Sequence, residues 1–434
     1  FPFRGDGRGV AMSKPPRETR LLPNPADVGP ATVVVYPNRY NIGMSSLGFQ
    51  QAYRCFHEAG IAVQRGFFDR NERDPRSYEG NEPIFRFPLV AYSLTYELDV
   101  FNLVRHLDRS GIAPLWRDRD DRSPFVLVGG LAASANPAIV EEFADIICVG
   151  EGESVIPAIS RVLHEEESSR SHMLEKLAEV PGLYVPPLGF AENRFDLPYV
   201  KVEDLSEWPS HSVILTDKDE FGGAFLVEVS RGCSHRCKFC LVSHRIGRTR
   251  FRPGNEICEL VDNYRPQIQK VGLMGAAVAD HPELTAIAEH LVSNGFSFST
   301  SSLRADRLSD EFLALLRDGG NRTITLAPES GSDAQRKHLG KPIRSSALHD
   351  AVFRAARTGF ANLKLYWLIG TPDMDVREET DSIIKTSQEL GQMFHAEGGR
   401  QVICSVTPFV PKSYTPFADR RIASATDLRR AMRH

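Results

Sequence analysis

The chain has 434 residues, of which 41% are hydrophobic and 25% charged, with a formal net charge of −4. That length holds two or three domains with separate cores, and the balanced charge excludes a global pull toward nucleic acid or anionic membrane. No apolar run approaches the ~20 residues that span a bilayer. Residues 1–30 are basic and rich in Gly and Pro, lack the apolar centre of a secretory signal, and are expected to form a flexible arm with Met12 a candidate initiator. The expected compartment is the cytoplasm.

Residues 31–165 alternate strand and helix. ATVVVYP is a β-branched run, followed by a helical pattern through Leu47, Ala52, Tyr53 and Phe56. IAVQRGFF, PLVAYSL, FVLVGG and DIICVGEG are further strand candidates. Strands spaced by helices pair in parallel, so the segment predicts an α/β fold with a Rossmann-like, doubly wound sheet. Ligands in such sheets bind beyond the C-terminal strand ends. Residues 166–222 hold a helix candidate, EEESSRSHMLEKLAEV, and several prolines; they are expected to be a connecting arm with a small hairpin. From 223 to 417 the alternation resumes six times, through FLVEVS, KVGLMG, FSFSTSS, TITLAPE, LKLYWLIG and QVICSVTPF. Helical stretches separate these runs, and ALHDAVFRAARTG ends in Gly as helix C-termini often do. Residues 418–434 remain as a tail.

The chemistry is concentrated in SRGCSHRCKFC, where Cys233, Cys237 and Cys240 follow a strand candidate that ends at Ser230. Three thiolates in C-x3-C-x2-C spacing can hold three irons of a cubane and leave the fourth open to another ligand. Cys3His is also a structural zinc set, and His235 lies inside the motif. Zinc sites usually draw on two separated pairs, however, and no second C-x-x-C exists. Cys55, Cys148, Cys258 and Cys404 are isolated in sequence and suit buried thiols better than disulfides.

The cysteine motif followed by ordered strand ends resembles the radical S-adenosylmethionine (SAM) superfamily over about residues 31–417. That resemblance implies a partial (β/α)6 TIM barrel, a [4Fe–4S] cluster on Cys233, Cys237 and Cys240, and SAM chelated by the open iron. It further implies that Gly275 and Ala276, standing where the family has a Gly-Gly-Glu-like segment, receive the SAM amino group. Arg304 pairs with the SAM carboxylate, Ser302 bonds the same group or the ribose, and Glu329 meets ribose hydroxyls or the ammonium. Phe239 and the Ile369–Gly370 segment flank adenine. SVTPFVPKSYTPF resembles the segment closing the barrel in radical SAM methylthiotransferases and some cobalamin-linked relatives. The basic stretch His244–Arg252 could grip a phosphate, but charge runs are usually solvated faces.

The first domain resembles the cobalamin-binding domain that precedes many radical SAM barrels. Candidate contacts are Ser93, Thr95, Gly129, Gly130, Gly150, Glu151 and Gly152 at strand ends, and Asn38, Tyr40 and Gly43 in the D-x-H-x-x-G register. Tyr40 replaces the cobalt-ligating His, so that ligand is lost and the cofactor stays open. The resemblance implies reductive cleavage of SAM to a 5'-deoxyadenosyl radical, with cobalamin-dependent C-methylation of an undetermined substrate as the expected net reaction. An external donor of the flavodoxin or ferredoxin kind supplies electrons, and a nucleic-acid partner is disfavoured. The rivals are a methylthiotransferase-like RNA or protein modifier, which normally needs three further N-terminal cysteines, and a non-catalytic zinc-stabilised interaction protein.

Overall fold

The computed structural model describes residues 16–23, 31–164 and 169–434, so Met12 and most of the expected arm lie outside the described residues. The chain divides into two compact units, Phe1–Val202 with His211–Gly223, and Glu203–Ser210 with Ala224–His434.

The first unit carries β1 (Glu18–Arg20), β2 (Thr32–Tyr36), β3 (Val63–Phe67), β4 (Leu89–Ser93), β5 (Phe125–Gly129), β6 (Ile146–Cys148), β7 (Leu183–Tyr184) and β8 (Ile214–Thr216). Its helices are α1 (Tyr40–Met44), α2 (Leu47–Glu58), α3 (Val100–Arg109), α4 (Leu131–Ala135), α5 (Ile156–Leu163) and α6 (Arg170–Ala178). The main sheet runs β3-β2-β4-β5-β6-β7, parallel except for β7. Its five parallel strands therefore take the order 2-1-3-4-5, which puts the topological switch point between β2 and β4.

Alternation along β2 feeds both faces of this sheet. Val34 and Tyr36 join Phe49, Tyr53 and Phe56 of α2 and Ile159 of α5, whereas Val33 and Val35 join Leu103 and Leu107 of α3. Covering both faces is why the strands read as continuous apolar runs.

Part of the expected free arm is a strand: β1 pairs antiparallel with β8. Its Glu18 takes two donors, at 2.8 and 2.7 Å, from Arg65, which is 1% exposed and also bonds Glu79 at 2.6 Å.

The second unit carries β9 (Phe225–Glu228), β10 (Ser230–Arg231), β11 (Arg250–Phe251), β12 (Lys270–Met274), β13 (Ser297–Thr300), β14 (Thr323–Glu329), β15 (Asn362–Ile369) and β16 (Gln401–Pro408). Around them lie α7 (Gly254–Asn263), α8 (Leu284–Ser293), α9 (Asp310–Asp318), α10 (Asp333–His338), α11 (Ser345–Thr358), α12 (Val376–Ala396) and, within the expected tail, α13 (Ala425–Arg433). Two parallel three-stranded sheets, β9-β12-β13 and β14-β15-β16, are joined by a parallel bridge from Leu303 to Leu326. The outcome is the open six-stranded β/α barrel that the sequence predicts.

Burial alternates strictly along β15: Leu363, Leu365, Trp367 and Ile369 are buried, while Lys364, Tyr366 and Leu368 are half-buried. Leu368 and Phe239 of the cysteine loop pack on the same buried cluster of Leu339, Phe409 and Phe417, so the half-buried face of β15 is the one turned toward the cysteine loop and the barrel interior. Among the described residues no helix is long and apolar enough to cross a membrane.

His106 on α3 is fully buried in the first unit, with Nδ1 2.7 Å from the Tyr92 hydroxyl. Burial pulls its pKa from 6.5 down to about 3. The unfolded chain therefore binds the extra proton between these values, and stability contributed by neutral His106 is lost as pH falls from 6.5 toward 3. Urea midpoints at about pH 4.5 and about pH 7 should differ more in the wild type than in His106→Leu. Equal differences would remove His106 as a source of acid sensitivity.

Candidate active site

The cysteine loop leaves β9 and is held on two sides. On one side β10 and β11 form a short antiparallel ribbon, and the Cys233 amide donates to Gly247 O at 2.9 Å. Gly232 (φ 82) approaches so closely that a Cβ there would lie 2.4 Å from Arg248 O. On the other side the Lys238 amide donates to Leu339 O at 2.9 Å. Gly340 (φ 74) permits that contact, because a Cβ there would lie 2.6 Å from Arg236 O. A single π-helical turn, Val242–Ile246, closes the loop, with His244 Nε2 3.1 Å from Cys237 O.

This arrangement gives the basic stretch a scaffolding role. Arg252 is 3% exposed and donates to Glu228 O and Trp208 O at 3.2 and 2.9 Å, while Arg245 lies 4.1 Å from the Tyr414 ring centroid.

Cys237 is buried, and Cys233 and Cys240 are half-buried. Burial pushes the Cys237 thiol up to about 11; the Lys341 and Arg304 cations oppose the rise, and Cys240 and Glu329 add to it. Burial also raises Cys233, which feels Cys240, Asp280 and Arg304. The three thiols thus share one neighbourhood with Arg304, Glu329 and Lys341. Such thiols ionise readily only when a metal compensates the charge, so loading the site should release protons.

This donor set suits a multi-iron cluster better than one zinc. A cubane needs only three protein thiolates, which the C-x3-C-x2-C loop supplies. His235 Nε2 lies 2.6 Å from Asp280 Oδ2.

The remaining candidate SAM residues have contacts of their own within the fold. Glu329 stands at a bulge at the end of β14 with φ 68, in the left-handed region that non-glycine residues avoid, and bonds Lys341 Nζ at 2.8 Å. It does not cap α10, whose N-cap is Ser332. Arg304 is clasped by Asp306 through bonds of 3.0 and 2.8 Å, so only part of its fork is open to a carboxylate. Ser302 and Ala276 are exposed. Gly275 lies against Ser230, whose buried hydroxyl has no partner among the described residues, and the Gly275 carbonyl accepts from Ser301 Oγ at 3.0 Å.

The Ile369 carbonyl and the Gly370 amide already have partners within the fold. Ile369 O accepts from Phe409 N at 2.8 Å, and Gly370 N donates to Glu379 Oε2 at 2.6 Å. The Ile369 side chain is buried on the face opposite Leu368, and Leu368 packs on the same Leu339–Phe409–Phe417 cluster as Phe239. Sequence reasoning missed Gly340, Lys341, Leu368 and Glu379. Strand alternation could have singled out Leu368; the other three depend on contacts between loops.

In the first unit the predicted corrin contacts split into two groups. Gly130 (φ 100) and Gly150 (φ 138) are required by the chain's own backbone: a Cβ would lie 2.5 Å from Leu94 O and 2.3 Å from Val200 O, respectively. The Glu151 carboxylate accepts from Val202 N at 2.9 Å, and Gly152 packs on Ile156. Tyr40 is buried, its hydroxyl shared with Glu18 and, at 3.0 Å, Thr216. Gly43 makes room for Phe67 and Tyr36, and Gly129 faces Cys148. The second group lies at the switch point. There Asn38 donates to Asp99 at 3.0 Å, Ser93 ends β4 with Thr95 two residues beyond it, and Tyr96, Leu98 and Phe101 are 52%, 76% and 61% exposed.

Comparison with known proteins agrees with this geometry. The family model for the N-terminal part of radical SAM proteins matches residues 54–186, and that of the radical SAM superfamily matches residues 227–383. An uncharacterized protein of Methanocaldococcus jannaschii is 27% identical over 88% of this chain and 78% of its own length. An uncharacterized methyltransferase of Pyrococcus horikoshii is 25% identical over 61% of this chain and 58% of that protein. A tRNA-2-methylthio-N(6)-dimethylallyladenosine synthase of Neisseria meningitidis is 28% identical over 53% of this chain and 48% of the synthase.

Among solved structures, the cobalamin-dependent S-adenosylmethionine radical enzyme OxsB with aqua-cobalamin bound superposes with a TM-score of 0.58 at 17% identity. The match covers 83% of this chain and 52% of OxsB, so the chain spans about half the length of that structure.

Fold and site together define a barrel enzyme built around an iron–sulfur cluster. The chain belongs to the radical SAM superfamily, and its cofactors are a [4Fe–4S] cluster and SAM.

Gly340→Ala should lower iron per chain after anaerobic reconstitution, because the added Cβ must displace the cysteine loop; unchanged iron content would show that the 339–341 segment does not hold the loop. Glu379→Ala leaves the Gly370 and Thr371 amides without their acceptor. It should cost about 1–3 kcal/mol in denaturant unfolding, and an unaltered midpoint would count against that bracing.

Proposed function

We propose that this chain is a cobalamin-dependent radical SAM C-methyltransferase. The observation that carries the reading is the grouping of Cys233, Cys237 and Cys240 with Arg304, Glu329 and Lys341 at the barrel strand ends. The 2-1-3-4-5 sheet with its open switch point supports the cobalamin part. So do the cobalamin named for OxsB and the methyltransferase named for the Pyrococcus horikoshii protein.

When bound and reduced, the cluster and SAM supply a 5'-deoxyadenosyl radical able to take hydrogen from an unactivated carbon. Cobalamin, when bound, supplies the methyl group. The chain's own residues bind and orient: the three cysteines hold the cluster, and the open part of the Arg304 fork takes the SAM carboxylate. Phe239 and Leu368 form an apolar wall on which adenine packs. Glu329, fixed by Lys341, presents its second oxygen to a SAM hydroxyl or ammonium. At the first unit's switch point, Asn38, Ser93 and Thr95 meet polar parts of the corrinoid, and Tyr96, Leu98 and Phe101 cover its apolar edge. An external flavodoxin- or ferredoxin-like donor provides the electron.

Methylthiolation is the weaker reading. The first unit has only Cys55 and Cys148 to offer a second cluster, and both are buried in its core, with burial pushing the Cys148 thiol up to about 12.

The test is anaerobic reconstitution with iron, sulfide and hydroxocobalamin. Near-stoichiometric iron, corrin absorption that survives gel filtration, and 5'-deoxyadenosine formed from SAM under reduction are expected. Replacing all three cysteines with Ala should abolish 5'-deoxyadenosine, and normal turnover in that variant would overturn the cluster assignment. Corrin that washes off an active enzyme would overturn the cobalamin assignment alone.

A further inference from the structure

The interior wall formed by β14, β15 and β16 has a chemistry that cluster and SAM binding do not use. Register places Thr325, Lys364 and Ile403 side by side, then Tyr366 beside Ser405, then Leu368 beside Thr407. Adjacent strands in register point their side chains to the same face, so this row shares the face of Leu368, which packs on the same Leu339–Phe409–Phe417 cluster as Phe239 of the cysteine loop. The opposite face of β15 is buried beneath the helices.

A purely structural wall would be apolar or internally satisfied. Here Lys364 Nζ, Tyr366 Oη, Thr325 Oγ1, Ser405 Oγ and Thr407 Oγ1 make no hydrogen bond to another described residue, and Lys364 makes no ion pair among them. Lys364 Nζ lies 5.0 Å from the Tyr366 ring centroid, a contact that leaves its donors free. The acids at neighbouring strand ends are already matched: Glu228 with Arg231 at 2.7 Å, Glu329 with Lys341 at 2.8 Å, and Asp306 with Arg304 at 2.8 Å. Lys364 therefore leaves a net positive charge on a hydroxyl-rich wall.

Resting on the radical SAM reading of this barrel, we propose that Lys364, with Tyr366, Thr325 and Ser405, binds an anionic group of the substrate, a carboxylate or a phosphate. Four residues of strand separate Lys364 from Leu368, or about 13 Å. The anionic group is thus several bonds removed from the carbon that reacts near the cysteine loop. The substrate class is an elongated molecule with a charged, hydrogen-bonding end that enters the barrel first, and Lys364 selects for that end.

The experiment uses the full chain loaded with its cluster. Lysines are acetylated with a limiting reagent, and modification of Lys364 is quantified by peptide mass spectrometry with inorganic phosphate, with succinate, or with neither. Lys364 should be protected several-fold in one arm, phosphate or succinate, while Lys270 is modified equally in all three. Calorimetric affinity for the protecting anion should then fall about tenfold in Lys364→Met, about 1.4 kcal/mol, and be kept in Lys364→Arg. Equal labelling of Lys364 with and without both anions, or equal affinity in wild type and Lys364→Met, would overturn the proposal. SAM binding read on the same preparation separates the two failures. Its loss condemns the radical SAM site itself, whereas intact SAM binding without protection condemns the anion site alone.

Discussion

Three thiols on one short loop are useful only if the loop is held in one shape, and close backbone packing on both flanks does this. Gly232 and Gly340 let the loop approach Arg248 and the 339–341 segment at distances that no side chain allows. The Lys238–Leu339 and Cys233–Gly247 hydrogen bonds then fix it there. Fixing the loop also brings Lys341 to the cysteines, and Lys341 in turn holds Glu329 in its left-handed conformation at the end of β14. One packing constraint thus sets both the thiol positions and the charges around them.

The helices behind the barrel extend that constraint to the neighbouring strand ends. Glu379 on α12 accepts from the Gly370 and Thr371 amides, and Thr386 on the same helix donates to Gly331 O at 2.8 Å. Gly331 has room for this only because it lacks a Cβ, which would lie 2.2 Å from Ser382 O. A single helix therefore braces the ends of β14 and β15 together. Buried carboxylates and hydroxyls here serve the backbone, and this leaves the half-buried interior face free for ligands.

The first unit divides its strand ends in a similar way. The glycines after β5 and β6 are taken up by the chain's own segments at Leu94 and Val200, so close approach serves folding there. At the switch point between β2 and β4, Asn38 is bonded to Asp99, and Tyr96, Leu98 and Phe101 stay exposed. The aromatic that replaces the expected histidine, Tyr40, is instead part of the buried network that ties β1 to Arg65 and β8.

By itself the sequence determined the six-fold β/α alternation, the parallel sheet before it and the three cysteines proposed as cluster ligands. Hydrophobic period and cysteine spacing are local properties that survive without a fold. Only the tertiary structure decided which polar groups remain free to act. Arg304 is half-committed to Asp306, the Gly370 amide belongs to Glu379, and His235 belongs to Asp280. Lys341 and Lys364 look alike in the sequence, yet one is paired with Glu329 beside the thiols and the other, among the described residues, has no ion pair and meets only the Tyr366 ring. The reason is physical: whether a donor or charge is spent depends on partners that only chain crossing brings within about 3 Å.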